Sequence, residues 1–186
     1  SLPANISLEL WSKRRGVTTQ DAELPSPYLF CRALFRSGLI KGAGNCFSTE
    51  MPDDYDSIRA IYFLGVVALI KKNYTLAREH FLEAEVIAKK QLKETAVTDM
   101  NVERRSPMIE IRSGVVDENI DTRWADIHIR TQLALGRLAA AQENWQQANL
   151  HYRYVLPGHP TFFEAARERA VVFDRLRQPR MAAASL

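Results

Sequence analysis

Apolar positions between Ser57 and Lys89 recur at helical spacing, and the pattern returns further along the chain. Ile61, Leu64, Gly65 and Ala68 follow the i, i+3, i+4, i+7 spacing of one helix face. Ala77, Phe81 and Ala84 form the face of a second helix, with the polar Asn73 and the aromatic Tyr74 between the two. The same residue kinds stand 71 positions later as Leu135, Gly136 and Ala139, then Asn144 and Trp145, then Ala148 and Tyr152. Such agreement in one register predicts two copies of a single helix-turn-helix unit.

A glycine inside a helix costs about 1 kcal/mol relative to alanine, and here it occurs twice at one register. The offset predicted is a close approach of the partner helix, with Phe81 in one copy and Tyr152 in the other lying over the missing side chain. Tyr74 and Trp145 are expected to plug the turn end of each hairpin. The helix from Tyr55 to Lys71 is apolar almost all round, which predicts burial on two sides.

These residues resemble the tetratricopeptide repeat, a family of helix-turn-helix units of about 34 residues. The resemblance implies an all-α, right-handed superhelix of antiparallel hairpins. The family's small first-helix position falls on Gly65 and Gly136, its second-helix alanine on Ala77 and Ala148, and its aromatic on Phe81 and Tyr152. The chain departs from the pattern at Gln132, where an apolar residue is expected, at Val155, where a small one is, and at Lys89, where Pro is common; Pro160 keeps that last feature in the second copy. Extended backwards, the frame puts Cys31, Ala43 and Phe47 at the three key positions of a degenerate first repeat. The organisation that follows is one domain over 1–186. It has N-terminal helices in 1–57, a repeat in 58–91, an insertion in 92–128, a repeat in 129–162, a capping helix in 163–178 and a tail in 179–186.

Local signals fill in this frame. Asn5 to Arg15 reads as a short helix, and Ser26-Pro27 as a capped helix start running to Gly38. Asp53 and Asp54 cap the next helix, where the macrodipole favours acid. The second helix of that hairpin is expected from Thr75 to about Lys93. The stretch from Thr95 to Gly114 reads as an irregular insertion, with a small hairpin around Met108 to Val116. Helix resumes near Asp117 to Asp121 and runs to Gln142, and its partner spans Trp145 to Leu156. In the capping helix Ala166, Ala170 and Phe173 take the spacing of another unit's first helix, and Arg180 to Leu186 is expected to fray.

In the family, first-helix residues line a concave groove. The resemblance therefore implies partner contacts through Arg59, Tyr62, Val66, Leu69 and Ile70, then Arg130, Leu133, Arg137, Ala140 and Ala141, and on the capping helix Arg167, Val171 and Arg175. Arginine forks suit carboxylates, so the partner expected is a peptide or helix with an apolar anchor and acidic residues. The bland alternative is that Tyr62, Val66 and Leu69 pack within the domain. The clamp by which some family members hold chaperone C-termini wants Lys and Asn where Tyr62 and Val66 stand, which argues against that role.

Composition narrows the remaining classes. A net charge of +3 without a basic stripe argues against nucleic acid; Lys13-Arg14-Arg15 reads as the basic end of a helix. The longest apolar run, Ala60 to Ile70, has eleven residues, whereas a bilayer-spanning helix needs about twenty. Cys31 and Cys46 read as two buried thiols, with a bridge across a hairpin, and hence an oxidising compartment such as a periplasm, as the alternative. Cytoplasm or nucleus is otherwise favoured. His80, His128, His151 and His159 lack zinc-ligand spacing. Asp53, Asp54 and Asp56 lack the calcium-loop pattern. No nucleophile-base pair and no nucleotide-binding glycine pattern occurs. The expectation is therefore no enzyme, no cofactor and no metal, but a protein-binding scaffold or adaptor in an assembly. A structural subunit with an obligate self or hetero interface, or a recruiting domain of an enzyme, are the other readings.

Overall fold

A computed structural model describes residues 26–98 and 122–185. All regular secondary structure among them is helical: α1 (Pro27–Arg36), α2 (Ile40–Phe47), α3 (Asp54–Ile70), α4 (Tyr74–Thr98), α5 (Thr122–Ala141), α6 (Trp145–Tyr152), α7 (Phe162–Arg175) and α8 (Pro179–Ala183). The helix expected over Asn5 to Arg15, with its basic cluster, and the small hairpin expected around Met108 to Val116 lie outside the described residues.

Four turns repeat one backbone device. Gly38, Lys72, Glu143 and Arg177 have φ of 77°, 59°, 57° and 56°, and they stand 34, 71 and 34 residues apart. After each, the next amide reaches back five residues. Leu39 donates to the carbonyl of Leu34, Asn73 to Ala68, Asn144 to Ala139 and Gln178 to Phe173, at 2.9 to 3.0 Å. This closure satisfies carbonyls that the helix end would leave unpaired. Three of the four carry a side chain in a left-handed conformation that costs roughly 1–2 kcal/mol. The closure and the packing beyond it must offset that cost.

The residue after the turn starts the next helix. Asn73 Oδ1 accepts from the Leu76 amide at 3.3 Å, and Asn144 Oδ1 accepts from Gln147 at 3.2 Å. The paired asparagines are thus caps. Asp53 caps α3 in the same way, accepting from the Asp56 amide at 2.7 Å.

Consecutive helices pack on each other from α1 to α8, and α1 also meets α3, as α3 meets α5. Small residues permit the approach: Ala43, Ala77, Ala84, Ala88 and Ala148 are completely buried. A Cβ built on Gly65 would stand 2.5 Å from Phe81 Cε1, and one on Gly136 would stand 2.5 Å from Tyr152 Cδ1. Both glycines therefore lie flush against an aromatic ring, as the sequence predicts. Tyr74 and Trp145 are partly buried against the same cores.

Four features differ from the sequence reading. Cys31 and Cys46 are bridged, not separate thiols; α1 and α2 bring their Cα atoms to 5.3 Å, within the span a disulfide requires. The helix α4 runs on to Thr98 rather than ending near Lys93, so regular structure enters the expected insertion from its N-terminal side. The helix after Asn144 stops at Tyr152 rather than Leu156, and Arg153 to Val155 continue in turns bonded to Asn149, His151 and Tyr152 carbonyls. Finally, the tail is helical over Pro179–Ala183, in place of the fraying expected from Arg180 on: Pro179 opens the helix α8, and Arg177 places its turn in register with the three before it. Pro at the first helical position is preorganised for that conformation.

Candidate interaction surface

The residues implied as partner contacts lie on α3, α5 and α7, the first helices of successive hairpins. On α3, Arg59 bonds Asp56 at 3.1 Å, and its guanidinium lies 3.7 Å above the Tyr28 ring and 5.0 Å from that of Tyr55. Asp56, itself buried, also accepts from the Ser26 hydroxyl. Arg59 therefore ties α1 to α3 through its cation-aromatic contact with Tyr28, held in place by the ion pair within α3.

Tyr62 packs its ring against Phe63 and Phe81 at 5.5 and 5.9 Å. Burial pushes its hydroxyl pKa up, and the charges of Arg137 and Arg130 only partly counter this. Val66 and Leu69 are half-buried in a cluster that includes Ala134, Leu135 and Leu138 of α5. The bland alternative holds for part of each of these side chains. Ile70, at the helix end, is exposed.

On α5 the arginines meet carboxylates of the same chain. Arg130 Nε donates to Asp126 Oδ2 at 2.7 Å, and Asp126 Oδ1 pairs with His159 Nε2 at 3.0 Å. The Thr161 amide donates to His159 Nδ1 at 3.2 Å, which leaves Nε2 carrying the proton toward Asp126. Burial raises the Asp126 pKa, but the hydrogen bonds from His159 and Arg130 outweigh it and hold the carboxyl at about 2. Arg137 reaches across to α7. Its Nε donates to Glu168 at 3.0 and 3.1 Å, its Nη2 to Glu168 at 2.7 Å, and Nη2 also pairs with Glu164. Leu133 is buried in the core, Ala140 is half-buried and Ala141 exposed.

On α7 the picture changes. Arg167 is exposed, and Val171 is 53% and Phe163 81% exposed. Arg175 stands 5.9 Å from the Trp145 ring centroid.

The surface thus joins aromatic and apolar residues on α3 to neutralised arginines on α5 and an open stripe on α7. Asp126 paired with Arg130 one turn on was readable from spacing. Glu164 and Glu168 were not, because their partner lies on another helix. Gln132, the departure from the apolar pattern, also finds its reason here: it donates to Glu85 at 2.8 Å and its Oε1 meets His151 Nδ1 at 2.9 Å. A buried polar group so paired bridges α4, α5 and α6 at little cost. Among the described residues no group of three or more His, Cys, Asp or Glu could hold a metal ion, and no helix is long and apolar enough to cross a membrane.

No protein-family model matches the chain, and no curated protein is similar to it in sequence.

Proposed function

We propose that the chain is a tetratricopeptide-like interaction scaffold, a right-handed superhelix that holds a peptide or helix of a partner protein along the first-helix faces of α3, α5 and α7. The observation that carries this reading is the recurrence, in one register, of a glycine under an aromatic ring and a left-handed turn, at Gly65 with Lys72 and Gly136 with Glu143. Units so built bury their apolar faces by stacking on neighbours and leave an extended surface for binding. Tyr62, Val66 and Leu69, each half-buried against α5, supply apolar contact there with the edges they leave exposed. Arg59, Arg130 and Arg137 are held in place by the chain's own carboxylates and act as preorganised donors with spare N–H groups.

The test uses the whole chain as bait in material from its native source, followed by amide exchange of the purified complex. Protection should appear on α3, α5 and α7. Protection confined to α4 and α6 overturns the groove reading. An obligate structural subunit, favoured by the exposure of Val86 at 66% and Phe163 at 81%, predicts instead a dimer or larger species in sedimentation at every concentration reached.

A further inference from the structure

Among the described residues, the first helices α3 and α5 are each covered by the next one, and α7 is not. Ile58, Tyr62 and Val66 of α3 lie in clusters that include Trp124, Ile127, Ala134 and Leu138 of α5. Ile129 and Leu133 of α5 share a cluster with Ala165 and Val172 of α7. The register-equivalent residues of α7 are Phe163, Arg167 and Val171, each 34 positions beyond Ile129, Leu133 and Arg137. They form one stripe, at i, i+4 and i+8. No described residue covers it: Phe163 is 81% and Val171 53% exposed. Between them Arg167 has no ion pair or hydrogen bond to another described residue.

We infer that this stripe is the docking site for an acidic amphipathic helix of a partner protein, laid on α7 as α7 is laid on α5. The inference rests on the scaffold reading and names the partner's chemistry. The chain contains its own precedent for the contact. Where α7 covers α5, it offers Glu164 and Glu168, one turn apart, to Arg137, and sets Ala165 and Val172 into the apolar cluster beside them. A helix on α7 faces the same task with the charge moved one turn, to Arg167. It needs small apolar residues over Phe163 and Val171 and a pair of carboxylates, four residues apart, for the guanidinium between. Exposed Arg175, Arg177 and Arg180 add to the positive field at this end of the molecule, opposed among exposed carboxylates of α7 and α8 by Glu164, which Arg137 already engages, and Asp174. A basic helix is disfavoured by the same field, and an uncharged one would leave Arg167 buried without a partner.

The probe is a fluorescein-labelled helical peptide of Ala and Leu with two Glu residues one turn apart on its apolar edge, compared with its Glu→Lys twin. Binding to the whole chain is read by anisotropy. The acidic peptide should bind with a Kd on the order of 10 µM and at least about tenfold more tightly than the twin. Arg167→Glu should reverse that order, and Phe163→Ser should weaken both; the reversal itself shows that the Arg167→Glu protein is folded. Equal binding of the twins, no binding of either up to about 1 mM, or indifference to Arg167→Glu overturns the inference. A dimer of the unmodified chain that Phe163→Ser dissociates also overturns it, by showing that a second copy covers the stripe. If these peptides fail while the native partner still protects α3 and α5, only the α7 inference falls. If the native complex protects none of the first helices, the scaffold reading falls with it.

Discussion

The contact between Gly65 and Phe81 decides a substitution that helix propensity alone would misjudge. Alanine is favoured over glycine within a helix by about 1 kcal/mol, so Gly65→Ala looks stabilising. The added methyl would meet Phe81 Cε1 at 2.5 Å and Cδ1 at 2.6 Å, and forcing atoms into a packed core costs about 1–3 kcal/mol. Gly65→Ala is therefore expected to lower the urea midpoint, with a net loss on the order of 1 kcal/mol. In a Phe81→Leu background, where the ring is gone, the same change should be neutral or stabilising. Equal effects in both backgrounds, measured as a double-mutant cycle, would contradict the packing account. The signal for this contact was visible in sequence because a helical glycine and an aromatic recur at a fixed separation. The partners of the arginines were hidden, since Arg137 meets Glu168 across 31 positions and no local spacing announces it.

Among the elements, the hairpin of α1 and α2 is held differently from its neighbours. Its small position is Cys31, and the bridge to Cys46 replaces the glycine-aromatic contact as the lock between the helices. The helix α2 is eight residues long with Gly42 and Gly44 inside it, each costing helix stability, and neither α1 nor α2 has a side-chain cap hydrogen bond. Tyr28, Phe47 and Phe63 pack around it, with Phe47 stacked on Phe63 at 5.0 Å. Closing a loop of this size stabilises a fold by about 3 kcal/mol. Cys31→Ser with Cys46→Ser, or reduction by a dithiol, should thus lower amide protection in α1 and α2 well before that of α4 and α5. Uniform loss of protection, or none, would show that the bridge is not what holds this hairpin. The sequence reading favoured free thiols because two cysteines are not a framework. That they face each other follows only once both helices are placed.

Over the whole molecule, two imidazoles packed between the helices, His128 and His151, make stability depend on pH. Burial holds the His128 imidazole below its usual pKa of 6.5, the charge of Lys89 adds to this, and Glu85 opposes it. Burial lowers His151 as well. The His128 Nδ1 is buried without a partner. Both imidazoles stay neutral in the fold while the unfolded chain takes up protons near 6.5, so the unfolded state binds more protons and stability falls as pH drops from about 7 to 5. His128→Gln should flatten that slope in denaturant titrations; an unchanged slope would remove His128 as its source. Asp126 acts in a separate window, its contribution intact above about 4 and lost as pH falls toward 2. The sequence alone determined the helical class, the two matched hairpins and the Asp53 cap of α3, because helix periodicity, capping chemistry and the glycine-aromatic spacing are short-range signals, and the hairpin pattern repeats in register. Only the tertiary structure decided that Cys31 meets Cys46, that carboxylates neutralise the α5 arginines, and that no described residue covers the α7 stripe. Those outcomes depend on which faces meet when one hairpin stacks on the next, and residues far apart in the chain leave no periodic trace of it.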